Sequence, residues 1–153
     1  MHDFDFFVGN WTVKNRRLKH RLANNQEWEI FDGTLSACLY MGGQAIVDDN
    51  LLHAPAGTFR AVTLRTFDTS TQQWSIWWFD SRRPNEVDPP LVGGFKQGIG
   101  TFYADDVLKD KPIRIRFIWS HTPGAAHWEQ AFSPDGGRTW EVNWIMDLQR
   151  AAL

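Results

Sequence analysis

The stretch Trp74-Ser75-Ile76-Trp77-Trp78-Phe79 decides the fold class. Successive side chains of an extended strand point to opposite faces, so Trp74, Ile76 and Trp78 share one face while Trp77 and Phe79 share the other. Both faces are therefore apolar. In a closed barrel one face packs inside, and the other must meet a helix, a partner or solvent. Working outward, Asp68-Thr69-Ser70-Thr71 precedes this run with side chains that form bonded turns. Ser81 to Pro90 follows it, and there Arg82-Arg83-Pro84-Asn85 and Asp88-Pro89-Pro90 break pairing and mark a longer loop at a rim. The same alternation of short Val, Ile, Phe, Trp and Thr runs with turn signals extends in both directions. It predicts ten strands, near residues 9–22, 26–40, 45–53, 57–67, 73–80, 91–96, 99–104, 112–119, 127–133 and 139–149. Only the beginning differs, because Phe4, Phe7, Val8 and Trp11 are spaced three or four apart, as on a helical turn.

The fold class expected is all-β, with residues 1–153 forming a single antiparallel up-and-down β-barrel of about eight to ten strands. A short N-terminal helical turn closes one end. Closure removes the two free edges of such a meander, and a sandwich is the alternative. Composition agrees with a packed domain. Nine Trp, 11 Phe and 2 Tyr make 14% of the 153 residues, and 16 basic against 18 acidic side chains leave a net charge of −2, which excludes intrinsic disorder. Cys38 is alone, so no internal disulfide forms, and its place between Ala37 and Leu39 reads as a buried small hydrophobe. No apolar run is long enough for a transmembrane helix. The first residues, with Asp3 and Asp5 and no basic region, do not read as a secretory signal, so a cytoplasmic location is expected.

Gly9-Asn10-Trp11, after the helical turn and at the start of the first strand, resembles the Gly-x-Trp signature of the lipocalin and fatty-acid-binding-protein (calycin) superfamily. In that superfamily the Trp closes the barrel floor and an Arg just after the last strand lies across its indole. The resemblance assigns these structural roles to Gly9, Trp11 and Arg150. Segments such as Val47-Asp48-Asp49-Asn50, Thr58-Phe59-Arg60-Ala61-Val62-Thr63 and Phe102-Tyr103-Ala104-Asp105-Asp106 make most of residues 4–150 similar to bacterial lipocalin-like proteins of unknown function. The resemblance implies a fold; carriers and enzymes both use it.

Ser133-Pro134-Asp135-Gly136-Gly137-Arg138-Thr139-Trp140 fits the Asp-box pattern Ser-x-Asp-x-Gly-x-Thr-Trp. A single copy cannot build a propeller. It reads as a hairpin in which Asp135 accepts bonds from loop amides and Trp140 covers the turn. Lys14-Asn15-Arg16-Arg17-Leu18-Lys19-His20-Arg21 carries five positive charges but no aromatic residue, so it lacks the pattern of nucleic-acid readers. It reads as a basic strand that discourages edge pairing.

Polar residues inside apolar runs are the candidates for pocket chemistry. Arg65, Arg114 and Arg116, each alternating with apolar or small residues, can hold a carboxylate within a barrel or form a solvated face. Asn143 lines the cavity only if Trp144 points outward; otherwise it is solvated. Trp77, Trp119 and Trp128 are the aromatic candidates for a ligand site. Glu129, Asp49 and Tyr103 are the candidates for proton transfer, should the barrel enclose a substrate. The five histidines lack the spacing of a metal site, although His121 and His127 can converge at a rim, and a haem ligated by one histidine is suggested by the fold alone. The leading expectation is binding of a small, largely apolar ligand. The alternatives are acid–base catalysis in the same barrel, and a homodimer formed through the outer face of residues 73–80.

Overall fold

The computed structural model describes residues 1–152. A 3-10 turn over Asp5–Phe7 leads into ten strands: β1 (Gly9–Leu18), β2 (Trp28–Tyr40), β3 (Ala45–Ala54), β4 (Gly57–Asp68), β5 (Gln73–Asp80), β6 (Leu91–Lys96), β7 (Ile99–Leu108), β8 (Lys111–Thr122), β9 (Ala125–Ser133) and β10 (Glu141–Arg150). A second 3-10 turn, Met41–Gly43, joins β2 to β3. Every strand pairs antiparallel with its sequence neighbours, and β1 pairs with β10 from Trp11↔Arg150 to Arg17↔Trp144, which closes the barrel. No helix among the described residues is long and apolar enough to cross a membrane.

Closure changes the meaning of the basic segment. β1 has no free edge, because β2 and β10 flank it on both sides. Its charges are instead met across the sheet: Lys14 by Asp32 at 2.7 Å, Arg16 by Asp147 at 3.8 Å and Arg17 by Glu29 at 2.8 Å. Cys38 is likewise not buried. On β2 the inward positions are Phe31, Gly33, Leu35 and Ala37, and the strict alternation sends Cys38 to the outer face.

Two features seal the lower end. Phe4 and Phe7 are fully buried, and Phe4 meets Trp74, Phe95 and Phe102 with ring centroids 4.8–5.8 Å apart. Trp11 donates its indole N–H to the Phe7 carbonyl at 2.8 Å. The Arg150 guanidinium lies 4.0 Å from the Trp11 ring centroid and donates to the carbonyls of Val8 and Phe6 at 2.5 and 2.7 Å. The guanidinium thus satisfies the carbonyls of the entering turn while covering the indole. Gly9 has φ +122°, a conformation that favours glycine, and a Cβ there would sit 2.5 Å from Arg150 Nη1 and displace the guanidinium from its place over Trp11.

At the upper end the β9–β10 hairpin is organised by Asp135. Its carboxylate accepts bonds from the amides of Arg138 and Thr139 and the hydroxyls of Ser133 and Thr139, at 2.6–3.0 Å. Gly136 and Gly137 both take positive φ. The bonds from Thr139, with the others behind them, hold the Asp135 carboxyl at about 2, against an ordinary 3.8. A carboxyl depressed in the folded state stabilises it above its unfolded pKa, and that contribution disappears as pH falls through the folded value. Between about pH 4 and pH 2 the wild type is therefore expected to lose a stability component that Asp135→Asn lacks. Urea unfolding of both proteins across that window checks this, and parallel pH profiles would refute it.

Candidate functional site

The barrel interior holds a cavity of ≈ 200 Å³ that opens toward the upper end. Its geometry follows from two kinds of wall. On one side β3 and β4 place Asp48, Asn50, Thr63 and Arg65 inward. On the other, β5, β8, β9 and β10 supply Trp78, Phe117, Trp119, Trp128 and Trp144. The aromatic wall is interlocked edge to face. Trp128 meets Trp144 at 5.4 Å and 80°, Trp144 meets Trp78 at 5.9 Å and 80°, and Phe117 meets Trp128 at 5.0 Å and 73°. This is the favoured geometry for aromatic quadrupoles, and it holds the rings rigidly.

The polar wall centres on one ion pair. Asp48 and Arg65 are 1% and 3% exposed and meet at 2.5 Å. Asp48 also accepts bonds from Asn50 Nδ2 at 2.5 Å and from the Thr63 amide at 3.2 Å. The Arg65 guanidinium lies 4.6 Å from the Phe7 ring, 5.1 Å from Phe4 and 5.4 Å from Trp119. A buried charge persists only when paired and hydrogen-bonded, and this cluster meets that condition for Asp48. Two donors beside it lack a protein partner: Arg65 Nε and Trp119 Nε1.

The mouth is charged. Arg82 donates to both carboxylate oxygens of Asp80 and lies 3.6 Å from the Phe59 ring. Burial alone would raise the Asp80 carboxyl, but the Arg82 bonds outweigh it and hold the group below its ordinary value. Arg83 pairs with Glu86 and Asp88 within the loop that follows β5. That loop crosses the mouth because β6 pairs with β5 only from Trp74 to Ile76, leaving the upper half of β5 unpaired on that side. Nearby, burial and then the charge of Arg17 lower the Arg21 pKa.

The candidate residues separate by face. Trp119, Trp128 and Arg65 line the cavity. Trp77 does not: Trp74, Ile76 and Trp78 take the inner face of β5, so Trp77 and Phe79 lie half-buried on the outer one. Arg114 and Arg116 also face outward, since Ile115, Phe117 and Trp119 fill the inner positions of β8. They stack against Tyr103 at 4.6 Å and Trp140 at 4.4 Å, respectively, which explains their half-burial without a carboxylate in the barrel. Tyr103 is thereby an outer-face residue, 6.0 Å from Trp140. Asp49 is exposed and pairs with Arg60 at 3.4 Å, and Glu129 sits beside His127 at 3.5 Å on the outer face of β9. All three proton-transfer candidates thus lie outside the cavity.

Asn143 fits neither expected alternative. Trp144 points inward, yet Asn143 is fully buried, because the register of β10 against β9 shifts between Val142 and Trp144. The bulge turns Asn143 into the wall, where its Oδ1 accepts a bond from Gln130 Nε2 at 2.8 Å, and Gln130 lines the cavity. His121 stacks on Phe6 at 3.9 Å, while His127 bonds Asp147 at 2.7 Å on the outer face, so the two do not converge. None of the cavity-lining residues is a histidine.

Asp48 and Asn50 are not among the pocket candidates taken from the sequence, which favoured Asp49; the signal that could have found them is their alternation with Ile46 and Leu52. Gln130 and Asp80 carried no such signal, since each sits next to the bulge or the loop that defines its surroundings.

These features define a calycin-like barrel: ten antiparallel strands, a 3-10 turn beneath them and an aromatic interior. A solved structure with this fold is the S-type phycobiliprotein lyase CPES from Guillardia theta, with a TM-score of 0.63 over 98% of this chain and 91% of that one. Identity is 11%, so the likeness is one of fold. No family model matches the chain, and no curated protein does.

Proposed function

We propose that the barrel binds a small, largely apolar ligand, its faces against the aromatic wall and its orientation fixed by the β3–β4 polar wall. The observation that carries this reading is the cavity of ≈ 200 Å³ between four tryptophans and the Asp48–Arg65 pair. Protein interiors close-pack, and rings that border a void forfeit dispersion contacts. A ligand restores them. The likeness to the lyase supports the reading through the fold alone. Catalysis is the weaker reading, because the only carboxylates lining the cavity, Asp48, Asp80 and Asp88, are each paired with an arginine.

Native mass spectrometry of protein purified from cells tests the proposal. The expected result is an added small-molecule mass that is lost on denaturation. An unliganded mass, together with no thermal shift by any member of an apolar compound set, would overturn it.

A further inference from the structure

We infer that the ligand carries a carboxylate, which Arg21 receives at the rim of the barrel while the apolar body lies against the aromatic wall. The inference rests on the binding reading above and adds to it the charge of the ligand and the residue that meets it.

The starting observation is an unmatched charge. Of the five cations between Lys14 and Arg21, four are met by carboxylates: Lys14 by Asp32, Arg16 by Asp147, Arg17 by Glu29 and Lys19 by Glu27, at 2.7–3.8 Å. Arg21 pairs with none among the described residues. Glu141, which accepts the neighbouring Leu22 amide at 2.8 Å, forms no ion pair with it.

Solvation does not account for the exception. The arginines withdrawn from full exposure are Arg17, Arg21, Arg65, Arg114 and Arg116. Arg17 and Arg65 hold carboxylates, and Arg114 and Arg116 lie over the rings of Tyr103 and Trp140. Among the described residues Arg21 has neither a carboxylate nor a ring. Its Nε is buried without a partner, while its two terminal nitrogens, free of protein hydrogen bonds, stay open to an incoming group.

The surroundings make that charge costly. Burial, the Arg17 charge and the Arg82 charge all lower the Arg21 pKa, and Glu29 offsets them only in part. Arg17 and Arg82 already have Glu29 and Asp80, and Glu86 and Asp88 are held by Arg83. Three arginines thus share two carboxylates, which leaves one positive charge over. A single negative charge balances it, and the planar guanidinium matches a carboxylate.

The same arginines lead into the cavity. Arg82 lines its mouth, and the Arg17 guanidinium lies 5.1 Å from the ring of Trp144, which lines its wall. A ligand that occupies the cavity and emerges past Arg82 therefore brings its polar end to Arg21.

The test is calorimetric titration of the full chain with two probes of one shape, 1-naphthylacetate and 1-naphthylacetamide, which differ by a negative charge. The carboxylate is expected to bind about tenfold more tightly, the order of a charge-assisted hydrogen bond at a half-exposed site. Arg21→Gln should erase that difference. A measurement on the wild type avoids dependence on the variant's folding: raising NaCl from about 20 to about 500 mM should weaken the carboxylate about threefold and leave the amide unmoved, because salt screens a charge at the rim. Equal binding of the two probes would overturn the inference and leave the binding reading in place. A carboxylate preference that survives Arg21→Gln, or that salt does not weaken, would overturn it as well. If neither probe binds, the inference fails, and native mass spectrometry decides the binding reading: it stands if the purified protein carries a small molecule and falls if it carries none.

Discussion

Trp11→Ala is expected to lower the unfolding free energy by about 3–5 kcal/mol, the range for removing a large aromatic side chain from a core. Trp11 is 2% exposed and lies between the Phe7 ring, at 6.4 Å, and the Arg150 guanidinium, at 4.0 Å. Truncation opens a void at the floor and also releases two partners. The Phe7 carbonyl loses the indole N–H, and Arg150 loses the surface it covers. Because Arg150 also holds the Val8 and Phe6 carbonyls, the 3-10 turn that carries Phe4 and Phe7 is weakened along with the seal. Urea denaturation followed by tryptophan fluorescence and by circular dichroism checks the value. A loss below about 1 kcal/mol would mean that the turn and Arg150 seal the barrel without the indole.

Asp48→Ala is the second large effect. Removing one partner of a buried pair strands the other, at a cost of about 3–5 kcal/mol. Here the stranded group is Arg65, 3% exposed and ringed by Phe4, Phe7 and Trp119, while the Thr63 amide loses its bond to the carboxylate and Asn50 Nδ2 keeps only a 3.4 Å bond to the Ala61 carbonyl. Arg65→Met leaves the Asp48 carboxylate buried without its cation, so a similar loss is expected. The double variant is the decisive measurement. With neither charge present the desolvation penalty disappears, and the pair replaced by apolar groups should be less destabilised than either single variant. Additive losses would show that the two residues act independently, contrary to the 2.5 Å contact between them.

Much of the fold was legible because its signals are local. Alternation over residues 73–80, the turns at Asp68 to Thr71 and after Ser81, and the spacing of Phe4, Phe7 and Trp11 each involve only a few neighbouring residues. Strand ends were less so: β1 stops at Leu18 although residues 9–22 all read as strand, and β7 runs on to Leu108 past residue 104. In β7 the acidic residues Asp105 and Asp106 conceal the extension, which pairing with Arg114 and Ile113 of β8 supports.

The site was less legible because facing is a tertiary property. Alternation groups Arg114 with Arg116, and Ile115 with Phe117, but both groupings are compatible with either face being inside. The inner place of Ile115 and Phe117 depends on apolar partners such as Trp128 on the neighbouring strand β9, and the arginines find their own partners only when β7 brings Tyr103 beside Arg114 and the β9–β10 hairpin carries Trp140 over Arg116. For Trp77 and Trp78 the pattern was silent for another reason: with both faces of β5 apolar, hydrophobicity carries no direction.

What the sequence by itself determined is the all-β meander, its turn chemistry, the Gly9–Trp11 entry and the Asp135 hairpin, since each depends on short-range sterics and hydrogen bonds. Only the tertiary structure decided which residues meet in the cavity. Closure of β1 on β10 set the direction of every face, the bulge at Asn143 broke the alternation that would have exposed it, and Asp48 acquired Arg65 from a different strand. Those outcomes depend on register and on burial summed over the whole barrel, quantities that no short window of sequence contains.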